Sequence, residues 1–400
     1  MKIALASPYD FAYPGGVTEH VTHLSEELRH RGHEVHIIAP MSGPRDEASL
    51  SPFVHPVGRV IPIPTNGSVA RVTLPLRGYV QVKRLLANER FDVIHLHEPM
   101  MPALPLTVLR HSHTVNVGTF HAFRRSNIAY FYAKPMIRPL FKKLHGLIAV
   151  SRPARDFVAE YFPGNYRVIP NGIEVSRFSE PVPIPPELQG DDPIVLFVGR
   201  MEKRKGLSYL LRAWANVRRE FPSARLIVVG HGRPLESYRA FVQAQGWSEV
   251  EFRGFVPASV LPAYFQRADV FCAPSTGAES FGIVLLEAMA AGRPILATRI
   301  DGYAEVISHG VDGLLVEPKD PNALAVGLTH LLADSDLRRK LGAAGRQKVQ
   351  QYDWSTVTDQ ILECYQETIA RTDLLSPISS AWLRGSRASA KQVGQLLGRR

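Results

Sequence analysis

The chain has 400 residues, 45% hydrophobic and 21% charged, with a formal net charge of +10. That length exceeds one ordinary core and predicts two domains of about 170–200 residues. No window approaches the roughly 18–20 uninterrupted apolar residues of a membrane span, and the two cysteines, Cys272 and Cys364, exclude a disulfide framework and match no metal-ligand spacing.

The opening MKIALASPYD is too short for a signal peptide and has the pattern of a first buried strand, Lys2–Ser7. Gly16 to Arg31 reads as a helix. Glu34–Pro40, Phe91–Leu96, Val115–Phe120 and Leu147–Ser151 read as strands, the last followed by a helix from Pro153. This alternation predicts a parallel sheet with helices on both faces. The chain turns at Pro170–Asn171–Gly172 and enters EPVPIPPELQGDDP, a Pro-rich acidic stretch without periodicity. A second series follows, with strands at Ile194–Arg200, Arg225–Gly230, Val250–Phe255, Val270–Ser275, Pro294–Thr298 and Gly313–Pro318, and a last amphipathic helix over Tyr352–Ile369. The α/β pattern predicts two doubly wound domains: 1–172, a linker 173–193, 194–351, a crossover helix 352–370, and a basic tail 371–400 that carries +5 of the +10. Both thiols read as core cysteines of a reducing cytoplasm.

Ligands of such domains bind at the carboxyl ends of the strands, and the motifs fall there. Gly15–Gly16 follows the first strand and opens a helix, a place where backbone amides can meet an anion. It is not GxGxxG, and the second strand ends in Ala39–Pro40 without the acid that holds an NAD ribose, which disfavours a nicotinamide dehydrogenase. His121 lies just past a strand end. Arg200, Arg204 and Lys205 follow another, a pattern suited to a diphosphate or, more blandly, to a solvated surface.

The run GAESFGIVLLEAMAAGRP places Glu279 and Glu287 eight positions apart. As one helix this spacing would be about 12 Å, whereas a glycosidase pair needs roughly 5–9.5 Å. The spacing instead suits one extended ligand, with phosphates on the amides near Gly282–Val284 and a carboxylate on each side. Asp334–Ser335–Asp336 has the form of a DxD metal motif but reads as a helix cap.

Together these residues resemble glycosyltransferase family 4, the retaining enzymes of the two-Rossmann GT-B type, over roughly residues 1–370. The likeness is carried by GGV, the His after HTVNVGTF, PNGI, the Arg–Lys pair after LFVGR, and Glu279–Glu287. It implies a C-terminal helix that crosses back to the first domain. It implies donor contacts at Gly16, Arg200, Lys205, Val256, Glu279, Ser280, Phe281, Gly282, Ile283, Val284 and Glu287, with His121 and Glu279 at the donor sugar. Within the family the chain is most similar to phosphatidylinositol α-mannosyltransferases, through YDFAYPGGV, NGSVAR, HLHEP, GTFHA and YDWSTV. That likeness implies GDP-mannose as donor and a membrane lipid as acceptor, met by Tyr9, Thr18, Thr65, Asn66 and Arg71. Thr18, Thr65 and Leu261 depart from the subfamily's pattern, so a UDP-sugar such as UDP-glucose, with another lipid or soluble acceptor, is the alternative; a sugar-nucleotide epimerase or a non-catalytic binder fits less well.

The same likeness implies front-face chemistry with no placed nucleophile, no tightly bound cofactor, and no motif that requires a divalent metal. Its partners would be a nucleotide-sugar, a lipid acceptor and an anionic membrane surface, not nucleic acid. Arg77, Lys83 and Arg84 lie beside Tyr79, Val80 and Leu85, and Lys134, Arg138 and Lys142 lie beside Ile137, Leu140, Phe141 and Leu144. Basic amphipathic segments of this kind suit a peripheral position on the cytoplasmic face of the cell membrane, although each also reads as an ordinary helix with a solvated face.

Overall fold

The computed structural model describes residues 1–13, 15–42, 53–65, 68–73, 78–101, 103–122 and 128–372. The strands of the first half are β1 (Lys2–Ala6), β2 (Glu34–Ala39), β3 (Val54–Pro56), β4 (Ile61–Thr65), β5 (Ser68–Val72), β6 (Val93–His97), β7 (Val115–Phe120), β8 (Gly146–Ala149) and β9 (Arg167–Val168). Those of the second are β10 (Ile194–Val198), β11 (Arg225–Val229), β12 (Val250–Gly254), β13 (Val270–Ala273), β14 (Ile295–Thr298) and β15 (Leu314–Val316). The helices of the first half are α1 (Gly16–His30), α2 (Tyr79–Glu89), α3 (Leu104–His111), α4 (Ile128–Phe141) and α5 (Arg152–Tyr161). They are followed by α6 (Val175–Ser179), α7 (Leu207–Glu220), α8 (Leu235–Ala244), α9 (Leu261–Arg267), α10 (Ile283–Ala290), α11 (Asp301–Ala304), α12 (Pro321–Ala333), α13 (Ser335–Lys348) and α14, residues 354–372.

The first sheet has the order β3-β2-β1-β6-β7-β8-β9 and the second β12-β11-β10-β13-β14-β15, all parallel, with β4 and β5 forming a separate antiparallel hairpin. Each order reverses beside its first strand, between β1 and β6 and between β10 and β13. A crevice opens at such a reversal, outside the carboxyl ends of the strands. The strands read as unbroken apolar runs because both faces are covered. Ile3, Leu5 and Val117 pack on one face of the first sheet, and Ala4, Ala6 and Leu96 on the other.

The C-terminal helix returns to the first sheet. Trp354, Val357, Ile361, Cys364 and Tyr365 of α14 are buried with Ile3, Leu5 and Val35. The Tyr365 hydroxyl lies 2.6 Å from His95 Nδ1, and Arg167 pairs with Glu363 and Glu367. Residues 173–193 carry α6, whose Val175 and Phe178 join α9 and α10 in the second core. Asp334 caps α13 by accepting the Leu337 N–H at 2.8 Å, so the DxD sequence serves as the cap its position suggests. Both cysteines are buried and free.

Two helices depart from the membrane reading in part. Ile137 and Leu144 are buried, and Leu140, Phe141 and Leu85 pack against the first domain's own core. Those side chains are therefore not available to lipid. The exposed groups are Tyr79, Val80 and Met136, beside exposed Lys83, Arg84, Arg138 and Lys142 and half-buried Lys134. Arg77 and the tail from 373 onward lie outside the described residues. Among the described residues no helix is long and apolar enough to cross a membrane.

Candidate active site

The second sheet supplies a cluster of charge at the ends of β10 and β13. After β10 the chain makes a single turn at Lys203–Lys205 and enters α7 through Gly206. After β13 it runs through Gly277–Gly282 into α10. Glu279 Oε1 accepts from Arg204 and from Lys205, each at 2.6 Å. Arg204 also donates to Glu202 Oε2 at 2.7 Å, and Arg200 lies 3.1 Å from Glu202 Oε1. Glu202 is 8% exposed and Arg200 59%. The buried carboxylate thus fans the cations outward, leaving Arg200 the one nearest solvent. Glu202 is an addition to the sequence reading of this group, which named Arg200, Arg204 and Lys205; neither Glu202 nor its contacts could be ranked from a Lys/Arg-rich run alone.

The loop into α10 is held from behind. Gly282 has φ +95, and a Cβ there would come 2.7 Å from the Tyr303 ring. Tyr303 is buried and shares a 2.8 Å hydrogen bond with Ser275. Gly282 offers no side-chain cap, so the first amides of α10, including those of Ile283 and Val284, are not met by a capping side chain. Phe281 is buried against Tyr352, so any ligand contact at that position falls to its backbone; Ser280 is half-buried. Val256 and Leu261 pack partly into the core nearby.

Glu287 is half-buried in α10. Burial pushes its carboxyl up to about 7, opposed by the charges of Arg177 and Lys205 and reinforced by Glu19 of α1. The influence of Glu19, from the first half of the chain, places Glu287 on the wall that faces it.

The first sheet contributes histidines. His121 follows β7 and is half-buried; His97 ends β6 and His20 lies in α1, both buried. His97 Nδ1 and His121 Nε2 are 3.0 Å apart, and His20 Nδ1 lies 3.1 Å from Asn171 Oδ1. Glu98 Oε1 accepts the backbone N–H groups of His121 at 2.7 Å and Ala122 at 2.6 Å, which fixes the loop that carries His121. Burial depresses the proton affinity of all these rings: His20 to about 4, and His97 and His121 well below the usual histidine range. They are neutral at pH 7. The sequence reading singled out His121 alone, because its neighbours come from α1 and β6.

Gly16 opens α1, and a Cβ there would meet nothing within 4 Å, so its surroundings are open to an approaching ligand. Tyr9 bridges to Val72 of the hairpin, and the Arg71 guanidinium stands 3.8 Å from the Tyr13 ring. Tyr9 and Arg71 are thereby brought together, with Thr65 closing β4. Thr18 is 7% exposed on α1, and Asn66 lies outside the described residues.

Two Rossmann-like sheets, each with its crevice at a strand-order reversal, define the GT-B class of glycosyltransferase. Comparison with known proteins agrees. Residues 14–177 match the family described as Glycosyltransferase Family 4, and residues 182–348 match Glycosyl transferases group 1. The chain is 41% identical over 375 residues to the phosphatidyl-myo-inositol mannosyltransferase of Mycobacterium leprae, covering 92% of this chain and 97% of that one. It is 36% identical to the protein of the same name from Mycolicibacterium smegmatis, covering 97% and 99%. Among solved structures, sucrose-phosphate synthase from Thermosynechococcus elongatus superposes with a TM-score of 0.75 at 24% identity, covering 92% and 99%, a likeness of fold. The chain belongs to glycosyltransferase family 4, and it is an enzyme that uses a nucleotide-sugar donor.

Proposed function

We propose that the chain transfers mannose, with retention, from GDP-mannose to phosphatidylinositol at the cytoplasmic face of the membrane. The observation that carries this reading is Glu279, ion-paired to Arg204 and Lys205 directly before the uncapped start of α10. A donor diphosphate would take Arg200, Lys205 and the α10 amides, and the sugar hydroxyls would take Glu279. Glu287 would hold the ribose and Val256 the base. The names of the mannosyltransferase relatives support mannose and the inositol lipid, and the Tyr9–Val72 bridge, which sets Tyr9 beside the strand that carries Arg71, supports an anionic headgroup beside the hairpin.

In this reading the bond between the sugar's anomeric carbon and the diphosphate oxygen breaks as the acceptor oxygen enters from the same face. The acceptor proton passes to the departing phosphate oxygen. Arg200, Lys205 and the helix amides stabilise the charge that develops there, a preorganised electrostatic contribution. His121 is neutral at pH 7, so it serves the sugar as a hydrogen-bonding group and not as a proton store. Domain closure would bring the two walls together around the donor.

A second reading keeps the chemistry and changes the donor to a UDP-sugar. It is favoured by Leu261, an uncharged residue where the mannosyltransferase pattern has a lysine near the guanine. The test of the site is Glu279→Ala. Transfer should fall by roughly 10²-fold or more, as for loss of a transition-state contact, while nucleoside diphosphate binding measured by calorimetry persists. Turnover close to that of the parent would remove the sugar role.

A further inference from the structure

We propose that His20, His97 and His121 form a site for a borderline divalent cation, zinc(II) above others, whose occupancy withholds His121 from the cleft and inhibits transfer. Each of the three rings brings a nitrogen within 4.8 Å of the others. Their centroids are 4.9–5.2 Å apart, with His20 edge-on to both partners.

The hydrogen bonds leave two of these rings with a nitrogen ready to ligate. Asn171 Oδ1 only accepts, so His20 Nδ1 carries the hydrogen and its Nε2 keeps a lone pair. That Nε2 is buried and has no hydrogen-bond partner among the described residues, and the same holds for His97 Nε2, which offers its lone pair when Nδ1–H donates to His121 Nε2, a hydrogen bond that the cation displaces when His121 ligates. An orphaned buried polar atom costs about 1–3 kcal/mol; two of them beside one another in a well-packed core point to an occupant. Asn171 acts as the outer partner that orients a metal-ligating imidazole, and Glu98 anchors the backbone of the third.

Three imidazoles select zinc, copper or nickel over magnesium or calcium, which prefer oxygen. Zinc–nitrogen bonds of about 2.0–2.1 Å would draw the rings together by on the order of 1 Å. Half-buried His121 provides the route in from the cleft. A second grouping, Glu34, His36 and Glu89, does not compare, because the Lys2 ammonium already sits 2.9 Å from Glu34 and 2.7 Å from Glu89.

The test uses the full chain without an affinity tag, titrated with cobalt(II) as a spectroscopic stand-in. One equivalent should produce the visible absorption of a tetrahedral nitrogen site, and zinc(II) should abolish it. His20→Gln and His97→Gln should each lose the band, Glu34→Gln should keep it, and Asn171→Ala should weaken cobalt binding roughly 10–100-fold. Zinc(II), but not magnesium(II), should inhibit transfer, and a chelator should restore it. Absence of a saturable one-to-one band in the parent chain overturns the site without recourse to any variant. A band retained in both histidine variants overturns the ligand assignment, and activity unchanged at saturating zinc(II) overturns the inhibitory role. Binding is read separately from turnover, so failure of the donor assignment leaves this result interpretable.

Discussion

Glu279 and Glu287 belong to one loop and helix but experience opposite surroundings. Two cations hold Glu279, whereas burial raises Glu287 to about 7. The unfolded chain releases the Glu287 proton near the ordinary carboxyl range, while the folded chain retains it until about pH 7. Stability contributed by this group is therefore complete below about pH 4.5 and is lost as pH rises through 7, by on the order of 1–3 kcal/mol. Glu287→Gln removes that loss. Without ligand the variant should melt a few degrees above the parent at pH 8 and show no such gain at pH 4.5, while binding nucleotide more weakly. An equal shift at both pH values, read by calorimetry, would contradict the assignment. The sequence showed both carboxylates and separated their roles by spacing. It did not show that Arg204 shares Glu279 or that Glu202 spreads the cations, because those contacts join segments more than seventy positions apart or choose among adjacent Lys and Arg.

At the scale of elements, most strands were legible because burial on both faces writes them as continuous apolar runs. The β4–β5 hairpin was not. Pro62 and Pro64 interrupt any strand pattern, and β4 is held by antiparallel pairing with Ser68–Val72. The helix α4 contains Pro135 and Pro139, which remove two main-chain donors, yet it persists as its apolar side is packed into the core. The loop before α10 depends on α11 in the same way. A Cβ on Gly302 would sit 2.1 Å from the Glu279 carbonyl oxygen and 2.9 Å from the Ser280 carbonyl carbon. Gly302→Ala must displace the loop that carries Glu279. Its kcat/KM should fall at least about tenfold, with a stability cost of about 1–3 kcal/mol as in other overpacked sites. Parent-like kinetics would show that the loop tolerates the shift.

For the whole molecule, charge and connectivity set the orientation. The helix α14 binds the first sheet through Tyr365 and His95, while Asn171 and Trp354 at the return of the chain touch His20. The crossover and the histidine group therefore move as neighbours in any closure of the cleft. The apolar residues Leu85, Ile137, Leu140 and Phe141 of α2 and α4 pack on the core, so the proposed membrane attachment would rest on exposed cations with Tyr79, Val80 and Met136. Replacing Lys83, Arg84 and Lys142 by Ser removes three charges at about 1 kcal/mol each, which predicts roughly 10²-fold weaker binding to phosphatidylserine-containing vesicles. Unchanged vesicle co-sedimentation would place the lipid contact elsewhere. The central claim is tested most directly by incubating the purified full chain with phosphatidylinositol vesicles and, in parallel, GDP-mannose, UDP-glucose and other nucleotide-sugars, and reading the product lipid by mass spectrometry and anomeric NMR. The account predicts a mannosylated inositol lipid with the α configuration, formed from GDP-mannose alone. A product from a UDP-sugar, or a β-linked product, would contradict it.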